Sequence, residues 1–289
     1  MTLISRQEPS HWYLRDGRPF HEIANKDGTG NRATTLRDAR KVMAFPSVTN
    51  VLGVLAKPGL DAWKIEQGIM AALTLPRQTD EPLDVFARRV VEDMGAQVEK
   101  AADFGSAIHN ACEVYALNNE VPTDKGLLAF FEPWRQWFDE NVERVGCVEQ
   151  VFVHSELGYA GRVDMVALLK GGSATGLGGY SDPYWAVVDF KTQKVKRSAK
   201  GEPKPAFYET WPLQLAAYRQ AVLVSGAKHV TGMVSVVIDS AQPGPVHVKR
   251  WDDADYLFGS FVAALGLWKY VKGYDPVHPG LACDKPALN

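Results

Sequence analysis

The chain has 289 residues, with 32 lysines and arginines against 34 aspartates and glutamates, which gives a formal net charge of −2. Hydrophobic residues make up 46% of the sequence and charged residues 23%. This composition is typical of a globular protein and excludes a polybasic chain, wholesale disorder and collagen-like or coiled-coil rods. We expect one large α/β domain that follows an N-terminal extension.

The cysteines and the hydropathy pattern bear on the cellular compartment. Cys112, Cys147 and Cys283 have no C-x-x-C spacing, which argues against a disulfide framework and against a four-thiolate zinc or iron–sulfur site. Residues 1–30 lack the apolar stretch of a signal peptide, and the chain has no run of about 18 apolar residues. We expect a cytoplasmic protein in a reducing compartment, with no membrane partner.

The N-terminal part is predicted to be mostly helical. Its elements are a hairpin around Asp16-Gly17, a polar loop from Ala24 to Lys41, a short helix capped at Ser47 and ended by Lys57-Pro58-Gly59, and a helix from Leu60 to Met70. From Leu83 to Leu117 the apolar residues recur at helical spacing, but Gly95 and Gly105 interrupt them, so we expect two or three helical pieces rather than one rod. A further helix from Val121 to Val145 carries an aromatic stripe, interpreted as core rather than as a base-stacking platform.

The second half changes to the alternating pattern of strands. The predicted strands are Val148–His154, Gly161–Leu169, Trp185–Lys191, Val230–Ile238 and Val246–Trp251, and the predicted helices are Tyr208–Ser225 and Asp252–Lys272. The glycine-rich insert from Gly171 to Gly179 lacks the G-x-x-x-x-G-K-[ST] pattern and is interpreted as a hairpin tip, so no ATP site is expected. We assign residues 1–82 to an N-terminal hairpin and helical extension and residues 83–289 to the core.

Two neighbouring strands carry the informative acids. Asp164 lies on one of them, and Asp189 and Lys191 lie on the next, where residues i and i+2 point to the same face. Pairing these strands as a hairpin brings Asp164 and Asp189 within reach of one Mg²⁺ or Mn²⁺ ion, which prefers carboxylate oxygens. A lysine beside such an ion stabilises the charge that develops when a phosphodiester is hydrolysed. A D-x-K pair on a strand is also compatible with a plain surface ion pair.

Two helices supply matching polar groups. Glu113 lies one turn after His109 and shares its face, and Gln214 and Tyr218 are likewise one turn apart. A lone helical histidine is more often a hydrogen-bonded partner than a metal ligand, and Q-x-x-x-Y alone is a weak signal. The order of all these residues along the chain is more specific than any single one.

That order resembles the RecB-like branch of the PD-(D/E)XK nuclease superfamily. The motifs that carry the resemblance are His109, Glu149, Gly161-x-x-Asp164, Asp189-x-Lys191-Thr192 and Gln214-x-x-x-Tyr218. With Pro46-Ser-Val-Thr49-x-Val51-Leu52 and Leu60-x-x-Trp63-Lys64 added, the chain is most similar to the mitochondrial genome-maintenance exonucleases and their phage and bacterial relatives. The similarity runs from about Pro46 to Tyr218.

The resemblance implies a restriction-endonuclease-like core, a central mixed β-sheet flanked by helices, and metal-dependent cleavage of DNA from single-stranded ends. The implied metal ligands are His109, Asp164, Asp189 and the backbone carbonyl of Phe190. Lys191 would be catalytic, Glu149 would be an acid near a second metal, Gln214 would position a phosphate or Lys191, and Glu113 and Thr192 are secondary candidates. The implied cofactor is one or two Mg²⁺ or Mn²⁺ ions. The implied partners are DNA and a single-strand annealing or binding protein, and the implied setting is a bacterial or phage-infected cell. Since there are only three cysteines, no iron–sulfur cluster is expected.

A basic segment directly follows the catalytic strand. From Lys191 to Lys204 there are six basic residues and one acid. We expect it to contact phosphates without base specificity, with affinity that falls as salt rises. The candidates for nucleic-acid contact are Lys194, Lys196, Arg197, Lys200, Lys204, Arg162, Tyr159 and Tyr218, and Tyr208 and Trp211 are further candidates for stacking on unpaired bases.

The sequence is also compatible with two other functions. One keeps the fold and makes the protein a structure-specific or nicking endonuclease. The other is a catalytically silent nucleic-acid-binding subunit, against which a full set of metal ligands argues, since binding alone does not require Asp164, Asp189 and Lys191 together.

Overall fold

A mixed β-sheet with flanking helices organises the chain. The computed structural model describes residues 11–171, 182–227 and 229–278. The helices are α1 (Leu36–Val42), α2 (Val48–Leu52), α3 (Pro58–Thr74), α4 (Leu83–Asn118), α5 (Lys125–Asn141), α6 (Thr210–Val224) and α7 (Ala254–Lys272). The strands are β1 (Trp12–Tyr13), β2 (Glu22–Ala24), β3 (Asn31–Ala33), β4 (Phe45–Pro46), β5 (Val142–His154), β6 (Tyr159–Leu169), β7 (Tyr184–Gln193), β8 (Lys196–Arg197), β9 (Pro203–Lys204), β10 (Val230–Asp239) and β11 (His247–Arg250).

The main sheet has the strand order β11-β10-β7-β6-β5. Strand β6 is antiparallel to both β5 and β7, β7 is parallel to β10, and β10 is antiparallel to β11. The parallel pair requires a crossover, and helix α6 lies in that connection. The α/β class and the mixed sheet flanked by helices are therefore confirmed.

The central strand β7 is apolar because both of its faces are covered. Ala186, Val187 and Val188 are fully buried, as expected for a strand between two helical layers. On one side Val187 belongs to the core cluster that contains Leu215 of α6. On the other side the ring of Phe190 packs edge-on against Trp134 of α5, with ring centroids 5.3 Å apart. The polar residues at the end of β7 are thus held by a rigid, well-packed strand.

The prediction of two or three helical pieces between Leu83 and Leu117 is wrong. Residues Leu83–Asn118 form the single helix α4. A glycine inside a helix costs about 0.5–1 kcal/mol relative to alanine, which a long periodic helix tolerates. A Cβ at Gly95 would meet no atom within 4 Å, so no close packing requires the glycine at that position.

The segment from Ala24 to Lys41, predicted as a loop, also contains regular structure. Strands β2 and β3 pair as an antiparallel hairpin, and α1 follows. A capping box starts α1: the Thr35 side chain accepts from the backbone of Asp38, and the Asp38 carboxylate accepts from the backbone of Thr35. Reciprocal capping of this kind stabilises a helix that is too short and too charged to show an apolar period.

The chain divides into two compact units whose bounds differ from the expected division between residues 82 and 83. One contains Ala56–Ala107, and the other contains Pro9–Leu55 together with the chain from Ile108 onward. The segment before residue 56 belongs with the sheet because Val48 and Val51 of α2 lie in the same core cluster as Tyr218 of α6. All candidate site residues lie in this second unit.

Two further expectations concern the insert and the membrane. Beyond Gly171, the glycine-rich insert predicted as a hairpin tip lies outside the described residues. Among the residues that the model describes, none of the helices combines the length and the apolar character needed to cross a bilayer.

Candidate functional site

Strands β6 and β7 stop pairing next to two aspartates. Met165 and Val188 form the last residue pair of this antiparallel ladder, and the next residues along the two strands are Asp164 and Asp189. Where the ladder ends, Oδ2 of Asp164 accepts a hydrogen bond of 2.7 Å from the backbone N–H of Phe190. The predicted hairpin pairing is confirmed, and it brings the two acids together.

The same hydrogen bond orients the Phe190 carbonyl. In a β-strand the N–H and C=O of one residue point to the same edge. Because the N–H of Phe190 points towards Asp164, its carbonyl points into the same gap between the diverging strands. The backbone oxygen that the resemblance implies as a metal ligand is therefore on the side of the aspartates.

Lys191 is paired with Asp189. Its Nζ lies 2.7 Å from Oδ1 and 2.6 Å from Oδ2 of Asp189 and donates its hydrogen bond to Oδ1. Oδ2 is buried and accepts no hydrogen bond. The side chain of Asp189 is 1% exposed and that of Lys191 is 23% exposed. The two side chains share one face of β7, as the i, i+2 spacing predicts.

Helix α6 fixes the Asp189 carboxylate from above the sheet. The buried Gln214 amide donates to Oδ1 of Asp189 at 3.2 Å and to the Tyr218 hydroxyl at 3.1 Å. Gln214 thus holds the carboxylate itself, and Tyr218 supports the glutamine. The two residues are one helical turn apart, so their side chains lie close enough for this hydrogen bond.

Gly161 leaves space for the ring of Tyr218, which supports Gln214. A Cβ at Gly161 would lie 2.3 Å from Cε1 and 2.9 Å from Cδ1 of Tyr218, and 3.3 Å from Cγ2 of Val48. Any larger residue would displace the tyrosine ring. The glycine of the G-x-x-D motif is therefore explained by close packing beneath the site.

The two aspartates are electrostatically strained. Burial raises the pKa of Asp164, while the charge of Lys191 and the Phe190 N–H oppose that rise. Burial also raises the pKa of Asp189, again opposed by Lys191, and the neighbouring Asp164 raises it further. Two enclosed carboxylates with this mutual repulsion are stabilised by a cation placed between them.

His109 of α4 lies beside this pair. Its ring is edge-on to Phe190, with centroids 6.3 Å apart. Burial and, to a lesser extent, the charge of Lys191 lower the pKa of His109 to about 4, and the charge of Asp189 acts in the opposite direction. The imidazole is neutral at pH 7, which is the form that binds metal ions.

Glu149 lies opposite Asp164 on strand β5. The flanking pairs Val148–Met165 and Gln150–Val163 place it there. Its Oε2 is 2.7 Å from Nε of Arg162. Burial raises the pKa of Glu149 to about 7, and the charge of Asp164 adds to that rise. The neighbouring Glu113 carboxylate also raises it, which places this secondary candidate near the site.

The backbone of Glu149 has an unusual conformation within β5. Its φ of 50° lies in the left-handed region, which costs free energy for a residue with a side chain. The pairing with β6 keeps one register on both sides of this residue, from Cys147–Val166 to Phe152–Gly161. This left-handed conformation therefore occurs at the acid that faces Asp164.

The donor atoms fit a hard divalent cation. Two carboxylates, a backbone carbonyl and a neutral imidazole are oxygen and nitrogen donors of the kind that Mg²⁺ and Mn²⁺ accept. Oδ2 of Asp189 already contacts the Lys191 ammonium at 2.6 Å, so a bound cation would share this oxygen with the lysine or displace it. Within the described part of the chain, no three His, Cys, Asp or Glu side chains converge as ligands of one ion. The positive charge beside Asp189 is instead supplied by the Lys191 ammonium.

Two residues predicted to contact nucleic acid are buried. Tyr159 is fully enclosed and donates its hydroxyl to the Ala217 carbonyl at 3.0 Å. Tyr218 is 6% exposed and engaged with Gln214. Neither ring offers a face to a base, so both are corrected from contact residues to structural supports.

The basic segment forms a small hairpin. Strands β8 and β9 pair so that Lys196 lies directly opposite Lys204, an arrangement of like charges that is destabilising by itself. These lysines are exposed, as are Lys194 and Lys200. Arg197 instead pairs with the buried Asp239. Four lysines are thus available to phosphates, and Arg197 serves as an anchor.

Sequence reasoning missed the groups that hold this hairpin in place. Oδ1 of Asp239 accepts from the backbone of Val195 at 3.1 Å and of Ala241 at 2.8 Å. The Gln193 amide donates to the Ala206 carbonyl at 2.8 Å. Asp239 lies 42 residues from Arg197 in sequence, and no local signal connects them.

Thr192 and Arg162 complete the set of predicted residues. The Thr192 hydroxyl is buried without a hydrogen-bond partner. The Arg162 side chain is 62% exposed and pairs with Glu149 at the margin of the site. Arg162 is therefore open to a phosphate, whereas Thr192 is enclosed.

The structure gathers His109, Glu149, Asp164, Asp189, Lys191 and Gln214 around the end of the β6–β7 ladder. Comparison of the chain with known protein families finds no family model that matches it, and comparison with curated proteins finds no match.

Proposed function

We propose that the protein is a Mg²⁺- or Mn²⁺-dependent deoxyribonuclease with a restriction-endonuclease-like core, which removes nucleotides from single-stranded DNA ends. The observation that carries the proposal is the pair of buried aspartates at the point where β6 and β7 part, with the Lys191 ammonium against Asp189. A structural ion pair has no need of a second buried carboxylate beside it. The order of the motifs along the chain adds support.

The proposed ligands are the side chains of His109, Asp164 and Asp189 and the carbonyl of Phe190. A divalent cation bound there would neutralise charge on the scissile phosphate and lower the pKa of a nearby water. Gln214 holds one oxygen of Asp189 and so fixes the direction of the other. This leaves the carboxylate no freedom to rotate away from the substrate.

Lys191 is proposed to stabilise the transition state. Its side chain is 23% exposed while Asp189 is enclosed, so the ammonium reaches the opening of the site. A positive group that is held in place before the reaction stabilises the extra charge on the phosphoryl oxygens as water attacks. Removal of one such group typically lowers kcat by about 10²–10³-fold.

Substrate binding is proposed to depend on the β8–β9 hairpin. Lys194 precedes the hairpin and three further exposed lysines lie within it, and the hairpin is tied to the sheet through Arg197 and Asp239. Contacts of this kind engage the phosphate backbone and carry no sequence information. The sequence contains no zinc-finger or helix-turn-helix signature, so cleavage is expected to tolerate any sequence.

Cleavage of labelled DNA tests the proposal. Linear single-stranded DNA labelled at one end and covalently closed single-stranded circles are incubated with protein in Mg²⁺, Mn²⁺ or EDTA. We expect the linear strand to be degraded only with metal and the circle to stay intact. Strands blocked at either end then give the polarity.

Two variants serve as internal controls. Lys191→Ala should lose cleavage, and Lys272→Ala, at an exposed lysine of α7, should keep it. Cleavage of the circle would replace the exonuclease by an endonuclease of the same fold. Equal cleavage by both variants, or none by the wild type with either metal, would contradict the proposal, and the second result combined with DNA binding would favour a silent binding subunit.

A further inference from the structure

Aromatic side chains cluster beside Lys191. The Lys191 Nζ lies 5.8 Å from the ring centroid of Trp211. Around that indole, ring centroids are 5.3 Å away for Tyr208 and 6.0 Å away for Phe207, and Phe207 lies 6.3 Å from Trp251. The three contacts are edge-on, so the rings do not stack on one another.

These rings are not ordinary core. Trp12, Trp134 and Trp268 are at most 1% exposed. Tyr208 is 39% exposed, and Trp211 is only partly buried. A cluster of large aromatic rings that keeps surface open to solvent next to a reactive lysine is available for contact with a ligand.

Positive charges flank the cluster. Lys191 lies at the Trp211 side, and at the other side the Lys249 Nζ lies 3.9 Å from the Trp251 centroid and 5.4 Å from that of Phe207. Aromatic rings flanked by ammonium groups suit a single nucleic-acid strand, which presents both bases and phosphates. The lysines on both sides disfavour an apolar partner for this surface.

We propose that Tyr208 and Trp211 form a stacking platform for unpaired nucleobases next to the scissile phosphate. In a duplex the faces of the bases are occupied by their neighbours, so the platform selects a single strand. The inference rests on the proposed nuclease function and gives the structural reason for its preference for single-stranded ends. Tyr208 and Trp211 are specificity-determining residues in this account, separate from the aspartates.

The test measures binding in EDTA, so that it does not depend on cleavage. The probes are a short oligothymidylate, a strand of equal length in which abasic sites replace the thymidines, and a duplex that contains the oligothymidylate. Fluorescence anisotropy gives the affinities of the wild type, Trp211→Leu, Trp211→Phe and Tyr208→Leu. Tyr270→Leu, at a 68% exposed tyrosine of α7, is the matched control. Thermal unfolding confirms that each variant is folded.

We expect the wild type to bind the base-bearing strand about tenfold or more tightly than the abasic strand, as stacking on one aromatic ring gives. The duplex should bind more weakly than the single strand. Trp211→Leu should lose most of this preference and keep its affinity for the abasic strand. Trp211→Phe should retain part of the preference, and Tyr270→Leu all of it.

Equal binding of the base-bearing and abasic strands by the wild type would overturn the platform, and so would Leu variants that keep the full preference. Failure of the nuclease proposal gives a different pattern. A protein that shows the expected preference in EDTA but cleaves nothing in Mg²⁺ or Mn²⁺ would support the platform and contradict the nuclease.

Discussion

The ammonium of Lys191 contacts both oxygens of Asp189 from two residues further along the same strand, with distances of 2.7 Å to Oδ1 and 2.6 Å to Oδ2. Loss of Lys191 and loss of the Asp189 charge should therefore affect the stability of the protein differently. Without Lys191, the buried charges of Asp189 and Asp164 repel each other unpaired. Without the charge of Asp189, that repulsion disappears.

We therefore predict opposite effects on the metal-free protein at pH 8. Lys191→Met should lower the free energy of unfolding by about 3–5 kcal/mol, the usual cost of leaving a buried charge unpaired. Asp189→Asn should have a much smaller effect or stabilise the protein. Addition of Mg²⁺ should restore part of the stability of Lys191→Met and none in Asp189→Asn. Urea unfolding with and without EDTA measures this, and equal destabilisation by both substitutions would contradict it.

Packing beneath the site gives a second prediction. Gly161→Ala forces a Cβ to within 2.3 Å of the Tyr218 ring, so the ring and the Gln214 amide must move. We expect a loss of about 1–3 kcal/mol in unfolding free energy, typical of overpacking, together with a fall in kcat. The control is Gly266→Ala on α7, where a Cβ meets nothing within 4 Å. It should gain about 0.5–1 kcal/mol, and the account fails if both variants behave alike.

The buried acid Glu149 gives a third prediction, on pH. Burial raises its pKa from the usual value of about 4.5 to about 7, so the folded state binds this proton more tightly than the unfolded state. The stabilisation from protonation is complete below about pH 4.5 and is lost as pH rises through about 7. Glu149→Gln, which cannot ionise, should therefore gain stability relative to the wild type between pH 5 and pH 8.

The measurement for this prediction is the difference in unfolding free energy between the two proteins at each pH. Taking the difference removes the contribution of His109, whose lowered pKa changes stability in the opposite direction over the same range. Glu143→Gln, at an exposed position of the same strand, is the matched control. A difference between Glu149→Gln and the wild type that does not change with pH would contradict the assignment.

The β8–β9 hairpin gives a fourth prediction, on salt. Lys196→Gln combined with Lys204→Gln should weaken single-stranded DNA binding at low salt. The slope of the logarithm of affinity against that of salt concentration should fall by about 1.4, since each phosphate contact contributes about 0.7 for single strands. Lys272→Gln should leave the slope unchanged. An unchanged slope in the double variant would show that these lysines do not contact phosphates.

The fold around the site was largely predictable because its signals are local. The run from Trp185 to Val188 is apolar enough to identify a buried strand, and the spacing of Asp189 and Lys191 places both on one face. The pairing of β6 with β7 follows from their adjacency in sequence. In α1 the local signal was also present, since Thr35 and Asp38 have the spacing of a capping box, but the polar composition concealed the helix.

What the sequence could not predict depends on distant parts of the chain. Tyr159 and Tyr218 look like stacking candidates until the packing of α6 on the sheet buries them. The anchoring of Arg197 by Asp239 joins residues 42 positions apart. The left-handed backbone of Glu149 has no signal in its residue type, because such a conformation is imposed by the surrounding sheet.

The most direct test of the central claim is the rate at which end-labelled single-stranded DNA is degraded by the wild type and by Lys191→Met, each with Mg²⁺ and with EDTA. The account predicts degradation by the wild type only with Mg²⁺ and a rate at least about 10²-fold lower for Lys191→Met. Equal rates for the two proteins, or degradation by the wild type that persists in EDTA, would contradict it.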